Sequence, residues 1–152
     1  MQMSNRISGF QCSPIRRLVP MARAAKERGV HVIHLNIGQP DIKTPSEALD
    51  AIHNYKDETI AYGLSEGEVG LRKALLEYYK KMGIEDLTID DIMITTGGSE
   101  AIQFTFITLC DPYDEFIIPE PYYTNVATFA NVAMVRLRPV TSSSSNGFIL
   151  PS

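Results

Sequence analysis

A β-branched run that ends in a Gly-Gly turn and continues at once as an apolar helix constrains the fold of this chain most. Residues 92–95 are Ile-Met-Ile-Thr, Gly97 and Gly98 follow, and a helical pattern begins near Ser99. A strand, a glycine turn and a helix in this order direct backbone N–H groups to the positive end of a helix dipole, where phosphate binds. The alternative is an ordinary connection in which glycine serves only the positive φ of the turn.

Predicted helices and strands alternate along the chain. The helices cover residues 14–29, 44–55, 69–82, 99–109 and 121–131, and the strands or extended segments cover 30–37, 92–95, 115–119 and 133–137. This alternation predicts an α/β layered domain with a mainly parallel sheet.

Several of these segments also carry predictions of capping or burial. Residues 44–47, Thr-Pro-Ser-Glu, match a capping box with proline in the first turn, and residues 87–91 are predicted to form a capped turn. Helix 99–109 is apolar nearly all round, which is typical of a buried helix. Helix 69–82 is expected to bury one apolar stripe, formed by Leu71, Leu75, Tyr78 and Met82.

Composition and charge exclude several classes of function. A net charge of −4 without a run of Lys or Arg argues against a nucleic-acid-binding surface. The polar N-terminus leads into no long apolar segment, so neither a signal peptide nor a membrane span is predicted.

The cysteines and histidines predict no metal site. Cys12 and Cys110 lie far apart and match no metal or redox spacing, and no metal spacing joins His31, His34 and His53. We therefore expect reduced cysteines, with Cys110 in the core, and a cytoplasmic location.

Four motifs occur in order along the chain. They are Asn36–Asp41 (NIGQPD), Tyr62 followed by Gly67 and by Gly70–Arg72, Thr96–Ala101 (TGGSEA), and Pro119–Tyr123 (PEPYY). Their order and spacing resemble the N-terminal portion of the fold-type I, class I/II aminotransferases, the aspartate aminotransferase-like enzymes that depend on pyridoxal 5′-phosphate. The resemblance covers the chain from Ser13 onward.

The resemblance implies an architecture of two parts. Residues 1–43 would form an N-terminal segment with an arm, a helix and a short strand. Residues 44–152 would form the first part of the cofactor-binding large domain, a partial three-layer α/β/α domain with mainly parallel strands. A turn signal at 142–147 precedes what resembles the start of a further strand, so this domain is expected to be truncated at its C-terminus.

The resemblance also implies a set of cofactor-binding residues. Gly98, Ser99 and Glu100 match the turn whose N–H groups and hydroxyl hold the cofactor phosphate, with the Glu100 carboxylate pointing away. Tyr123 matches the aromatic residue that stacks on the pyridine ring, and Tyr62 matches the tyrosine that reaches the phosphate of a neighbouring subunit. The alternatives are an acidic residue favoured in a first helical turn, a core or surface aromatic, and a tyrosine packed under its own loop.

The expected substrate contacts lie near the first motif. Gly38 matches the glycine that lies against the substrate carboxylate, with Ile37 beside the substrate side chain, and the alternative is a plain turn. Arg72 is expected to form a structural ion pair. No catalytic residue is expected in this chain, because the Schiff-base lysine, the aspartate that pairs with the pyridine nitrogen and the carboxylate-binding arginine match positions beyond Ser152.

The function implied is amino transfer between an L-amino acid and a 2-oxo acid, within amino acid metabolism and biosynthesis. The parent enzyme would use pyridoxal 5′-phosphate as a homodimer or higher homo-oligomer, with no nucleic acid or membrane as partner. The chain alone is expected to be inactive, and to associate through an exposed sheet edge. Two alternatives remain: a β-lyase or decarboxylase of the same fold, and a non-catalytic ligand-binding module.

Overall fold

The computed structural model describes Ser4, Ile7 and residues 13–150. Five α-helices and two β-strands form within this part of the chain, in the order α1 (Val19–Glu27), α2 (Ser46–His53), α3 (Val69–Lys81), α4 (Gly98–Leu109), β1 (Glu115–Glu120), α5 (Asn125–Val132) and β2 (Arg136–Thr141). Short 3₁₀ helices cover Arg16–Leu18, Ile89–Asp91 and Ser144–Asn146. The division predicted between residues 43 and 44 stays a prediction.

The two strands are parallel and form one sheet. Glu115 lies opposite Arg136 at the start of the pair, and Glu120 lies opposite Thr141 at its end. Parallel neighbours need a crossover connection, and α5 supplies it. Helices and parallel strands therefore confirm the predicted α/β class.

The hydrophobic core lies between α4, α5 and the sheet. Phe106, Ala130 and Val135 are buried at its centre. The rings of Phe106 and Phe116 meet edge to face with their centroids 5.0 Å apart, a favourable geometry for an aromatic pair. Cys110 is free and packs half-buried against this cluster, as predicted, whereas Cys12 lies outside the described residues.

The predicted strands over 30–37 and 92–95 are not paired in a sheet, and the last predicted strand is shifted. Residues 133 and 134 form the turn that ends α5, with Met134 at φ +59°, so the strand begins at Arg136 instead of residue 133. A β-branched run becomes a strand only where another segment lies alongside. Within the described residues, two backbone hydrogen bonds reach the 92–95 segment: the N–H of Ile92 donates to Ile89 in the preceding turn, and the N–H of Ile94 donates to the more distant Glu66.

The predicted burial of α3 and α4 is wrong for most of their apolar side chains. On α3, Leu71, Tyr78 and Met82 are exposed and Leu75 is only half-buried. On α4, Phe106 is buried, but Ile107 and other apolar residues of the opposite face meet solvent. Two strands and one neighbouring helix cover a single face of α4, so periodicity predicted the helix correctly and its surroundings incorrectly.

Of the two capping predictions, one is wrong and one is confirmed. α2 begins at Ser46 with Pro45 as its N-cap and no side-chain capping bond, so the predicted box is wrong. The capped turn at 87–91 is confirmed, because Asp91 Oδ2 accepts hydrogen bonds from the Thr88 N–H at 2.8 Å and the Thr88 hydroxyl at 2.6 Å. These two bonds lower the pKa of the exposed Asp91 carboxyl.

Candidate functional site

The Gly-Gly turn presents bare backbone at the start of α4. Gly97 is the N-cap residue and has φ +104°, a conformation that side-chain-bearing residues rarely adopt. A Cβ built on Gly97 or on Gly98 would meet nothing within 4 Å. The surface beside these two residues is therefore open, and a bulky anion could approach the backbone there.

The donors at this turn are the first N–H groups of α4 and one hydroxyl. The N–H groups of Gly98 and Ser99 belong to the first helical turn, which has no intrahelical acceptors for them. Ser99 is exposed, and no other described residue is recorded as a partner of its hydroxyl. These three donors lie at the positive end of a helix of twelve residues.

Glu100 is engaged within the turn itself. Its N–H donates to the Gly97 carbonyl oxygen at 3.2 Å, and its carboxylate accepts the N–H of Thr96 at 2.6 Å. The side chain thus points back to the segment before the helix, as an acidic residue of a first helical turn often does. Thr95 adds a hydroxyl bond to the Gly97 carbonyl oxygen at 3.0 Å, a contact that the sequence pattern did not suggest.

Tyr123 lies at the same end of the layered unit as the turn. α4 runs opposite to β1, since Phe106 near the end of the helix packs on Phe116 near the start of the strand. The start of α4 and the end of β1 are therefore at one edge, and Tyr123 follows β1 by three residues. Its ring is more than half exposed, and its hydroxyl accepts a hydrogen bond from Asn125 Nδ2 at 2.7 Å.

Asn125 is a residue that sequence reasoning missed. It is the first residue of α5, and its amide fixes the Tyr123 hydroxyl. The sequence contained a signal for Asn125, because this residue follows the second tyrosine of Pro-Tyr-Tyr by two positions and opens a helical pattern.

The remaining predicted site residues lie on other segments. Tyr62 is fully exposed in the loop before α3, so it is not packed under its own loop. Gly38 is exposed, and a Cβ there would meet nothing within 4 Å. Ile37 lines an apolar cavity of about 210 Å³ beside α1, together with Val19 and Val32.

A large cavity lies away from the predicted site. Its volume is about 510 Å³, and it lies against α5 between Ser13, Pro14, Tyr122, Asn125 and Asn131. None of the predicted cofactor or substrate residues lines it. Open donors at the start of α4, and not cavity size, mark the candidate site.

Arg72 is buried, and its main partners differ from the expected ion pair. Its guanidinium donates to the carbonyl oxygens of Ile92 at 2.9 Å and Ile89 at 2.6 Å. The Asp90 carboxylate is 3.7 Å away and its side chain is almost fully exposed, so that ion pair adds little.

Neither a metal centre nor a membrane helix is recorded for the part of the chain that the structure describes. No group of three or more His, Cys, Asp or Glu side chains there could hold a metal ion. No helix there has the length and apolar character needed to cross a bilayer.

Comparisons with known proteins give the family. The family model described as "Aminotransferase class I and II" matches residues 30–150. The chain therefore belongs to the class I and II aminotransferases, and the resemblance noted in its sequence motifs is confirmed.

Individual relatives agree with this assignment. The chain is 34% identical over 124 residues to a probable aspartate/prephenate aminotransferase of Rickettsia conorii, covering 81% of this chain and 31% of the relative. It is 32% identical over 153 residues to an aspartate aminotransferase of Rhizobium meliloti, covering 98% of this chain and 37% of the relative.

A solved structure extends the agreement to the fold. The crystal structure of the aspartate aminotransferase from Rhizobium meliloti superimposes with a TM-score of 0.85 at 31% sequence identity. The match covers 99% of this chain and 38% of the other. The chain thus spans about a third of the length of these relatives, from 31% to 38%.

Membership of this family implies pyridoxal 5′-phosphate as the cofactor, and the donors at the turn fit such a group. A phosphate dianion requires several hydrogen-bond donors and no nearby unpaired acceptor. The turn provides two free N–H groups, the Ser99 hydroxyl and open space at both glycines, while Glu100 is directed to Thr96. Charge-assisted hydrogen bonds of this kind contribute about 1.5–3 kcal/mol each.

Proposed function

We propose that this chain is part of a pyridoxal-phosphate-dependent aminotransferase that moves an amino group between an L-amino acid and a 2-oxo acid. The observation that carries the proposal is the turn at the start of α4, with its bare glycines and free donors, in a chain of this family. The names of the relatives make L-aspartate the first amino donor to test. Cytoplasmic amino acid biosynthesis is the setting that we propose.

Each predicted site residue except Glu100 has a physical task in this proposal. The resemblance assigned the Glu100 N–H to the phosphate, but this group donates to the Gly97 carbonyl oxygen instead. The N–H groups of Gly98 and Ser99 and the Ser99 hydroxyl bind the phosphate, and the helix dipole of α4 favours its negative charge. Tyr123 holds the flat ring by contact with its own aromatic face, while Asn125 limits rotation of the tyrosine. The cofactor itself supplies the electron sink that makes bonds at the amino acid α-carbon easier to break.

The substrate is expected to approach from the side of Gly38. The bare backbone of Gly38 allows a substrate carboxylate to come close, and Ile37 offers an apolar contact to the substrate side chain. The same binding residues would serve a β-lyase or decarboxylase, so product analysis separates these reactions. Formation of a new amino acid from a 2-oxo acid supports transamination, and release of carbon dioxide or of a thiol contradicts it.

A binding experiment tests the phosphate site directly. Pyridoxine 5′-phosphate carries the phosphate and the ring but lacks the aldehyde, so it cannot react with exposed lysines. We expect Ser99→Ala to weaken its binding about tenfold or more, since one charge-assisted hydrogen bond is lost. Ser46→Ala is the matched control, because Ser46 also lies in the first turn of a helix.

The outcome is read from titrations followed by amide chemical shifts. Shifts centred on Gly98 and Ser99, present with pyridoxine 5′-phosphate and much weaker with unphosphorylated pyridoxine, support the site. Equal binding of both compounds, or equal loss in the Ser46 variant, would contradict it.

We further propose that the complete site forms between two copies. Tyr62 is fully exposed, as a residue that reaches a neighbouring subunit has to be in an isolated copy. In a homodimer, each site would combine Ser99 of one copy with Tyr62 of the other. A mixture of Ser99→Ala and Tyr62→Phe chains should then regain about a quarter of the intact sites, because half of the dimers are mixed and each has one intact site.

The full-length relatives are longer than this chain, and the proposed activity needs a lysine in a suitable environment. Every lysine of the chain is exposed, whereas a lysine that reacts with the cofactor near neutral pH is usually desolvated or placed beside another cation. We therefore expect no amino transfer from L-aspartate to 2-oxoglutarate by residues 1–152 alone. Turnover by this chain would contradict that expectation and leave the binding proposal untouched.

A further inference from the structure

Arg72 is the one buried charged side chain among residues 13–150, and its partners are backbone atoms. Only 7% of the residue is exposed. Nε donates to the carbonyl oxygen of Ile92 and Nη2 to that of Ile89, at 2.9 and 2.6 Å. Hydrogen bonds from a charged donor are stronger than neutral ones, whereas the pair with the exposed Asp90 is weak. Arg72 therefore acts on the backbone that leads into the Gly-Gly turn.

The same backbone is held from the loop that precedes α3. The N–H of Ile94 donates to the Glu66 carbonyl oxygen at 2.9 Å. Gly67 lies directly against Ile94, because a Cβ on Gly67 would come within 2.4 Å of Ile94 Cγ1. Gly67 also has φ +97°, so both space and backbone conformation require glycine there.

These contacts replace the bonds that a sheet would supply. Residues 92–95 are unpaired in the sheet, yet they lead directly to Gly97 and Ser99. Apart from short-range hydrogen bonds to Ile89 and Gly97, the recorded contacts that hold this stretch come from the start of α3 and from the loop before it. They are made by Arg72, Glu66 and Gly67. Tyr62 lies in that same loop.

We propose that Arg72 is a positioning residue for the cofactor phosphate. Together with Gly67 it fixes the turn at Gly97–Ser99 to the loop that carries Tyr62. Both proposed phosphate-binding elements of one copy then move as a single rigid unit, although each serves a different site of a dimer. The inference rests on the proposed phosphate site, and it adds the residue that keeps this site in place.

Amide hydrogen exchange and ligand binding test the inference together. In Arg72→Met we expect the Ile94 amide to exchange about tenfold faster or more, because local opening becomes easier when its anchor is lost. The dissociation constant of pyridoxine 5′-phosphate for Arg72→Met should rise about three- to tenfold. For Arg72→Lys, the exchange rate and the dissociation constant should both lie between those of Arg72→Met and those of the natural chain.

Two matched variants separate positioning from general effects of charge. Lys73→Met removes a positive charge from the next, exposed position of α3 and should change neither measurement. Asp90→Asn removes the ion pair and leaves both carbonyl bonds, so it should also resemble the natural chain. An Asp90 variant that matches Arg72→Met would overturn the role assigned to the carbonyl bonds.

A measurement on the natural chain covers the case in which Arg72→Met fails to fold. The amides of Ile94 and Arg72 should open together across a series of low denaturant concentrations, since the two segments form one unit. Separate opening, with Ile94 exchanging as an unprotected amide, would overturn the inference.

The outcomes also distinguish the inference from the proposed function. Unchanged binding in Ser99→Ala would remove the phosphate site and, with it, the task assigned to Arg72. Weakened binding in Ser99→Ala together with unchanged exchange and binding in Arg72→Met would leave the phosphate site intact and overturn the positioning role alone.

Discussion

Residues 98–141 and residues 30–64 are both rich in apolar side chains, but they bury them to very different extents. In the first region Phe106 and Ala130 are 2% and 1% exposed, and α4, β1, α5 and β2 close around them. In the second region Leu35 and Ile60 are 92% and 87% exposed. Consecutive elements of the first region pack on one another, whereas the second needs a surface from elsewhere to cover it.

The comparison shows that similar side chains support very different amounts of structure. A sheet flanked by a helix pair stabilises itself, because each element finds its partner within a few tens of residues. The segment with Gly38 and Tyr62 carries proposed ligands for substrate and phosphate while contributing little burial of its own. Substitutions in the two regions should therefore differ in their effect on stability.

Truncating the central aromatic residue should affect stability most. Phe106→Ala removes the most buried ring and its contact with Phe116, and it should lower the free energy of unfolding by about 3–5 kcal/mol. Ile107→Ala changes the next residue of α4, which is exposed, and should cost about 1 kcal/mol or less. Chemical denaturation of both variants measures the difference, and equal losses would show that the described core does not control stability.

Adding one carbon at the loop before α3 should have the second largest effect. Gly67→Ala combines an unfavourable φ with a close approach to Ile94, and it should lower the free energy of unfolding by about 1–3 kcal/mol. Gly70→Ala is the control, because Gly70 lies within α3 and its Cβ would meet nothing within 4 Å. We expect this control to be neutral or slightly stabilising, and thermal unfolding would reveal a reversed order.

A smaller, pH-dependent effect is expected from the ion pair that joins the two strands. The Arg138 guanidinium, by its hydrogen bond, lowers the pKa of the Glu115 carboxyl below its ordinary value of 4.5. Because the pKa of Glu115 is depressed in the folded state, the stabilisation is complete above pH 4.5. It is lost as the pH falls through the lower, folded value.

The measurement is the melting temperature of Glu115→Gln and of the natural chain at neutral pH and well below pH 4.5. The difference between the two should shrink in acid. Glu77→Gln, at an exposed position of α3, serves as the control. A difference that stays constant with pH would show that the pair does not contribute.

The smallest effect is expected in the uncovered region. Ile60→Ser replaces a side chain that is already in solvent, so the free energy of unfolding should change by no more than about 0.5 kcal/mol. Sedimentation of the same variant is informative, because an exposed apolar segment favours association. A large loss of stability would show that this segment is covered in solution.

Local sequence signals predicted the elements better than their surroundings. α3, α4 and β1 begin and end within about one residue of the predicted positions, since helix periodicity and strand propensity act within a few residues. α1 and α5 begin later than predicted, at Val19 and Asn125 instead of residues 14 and 121. The capping box near Ser46 failed because Pro45 itself became the N-cap. The prediction of a strand at 92–95 was wrong because strand pairing depends on a neighbouring segment, which the local sequence pattern does not specify.

The candidate site shows the same division. The Gly-Gly turn and the aromatic after β1 were both visible as motifs, and the structure brings Ser99 and Tyr123 to one edge. The direction of the Glu100 carboxylate and the hydrogen bond from Asn125 to Tyr123 depend on geometry across a turn. The role of Arg72 was the least predictable, since its partners lie 17 and 20 residues away along the chain.

By itself, the sequence determined the family, through four motifs in order. It also determined the bare turn, because glycine at position 97 has no side chain and readily adopts the positive φ found there. The tertiary structure decided which face of α4 is covered, that residues 92–95 are held by a buried arginine, and which free donors remain at the start of α4. The physical reason is the distance along the chain over which each effect acts. Backbone propensities act over a few residues, whereas burial and hydrogen-bond satisfaction depend on groups that only the folded chain brings together.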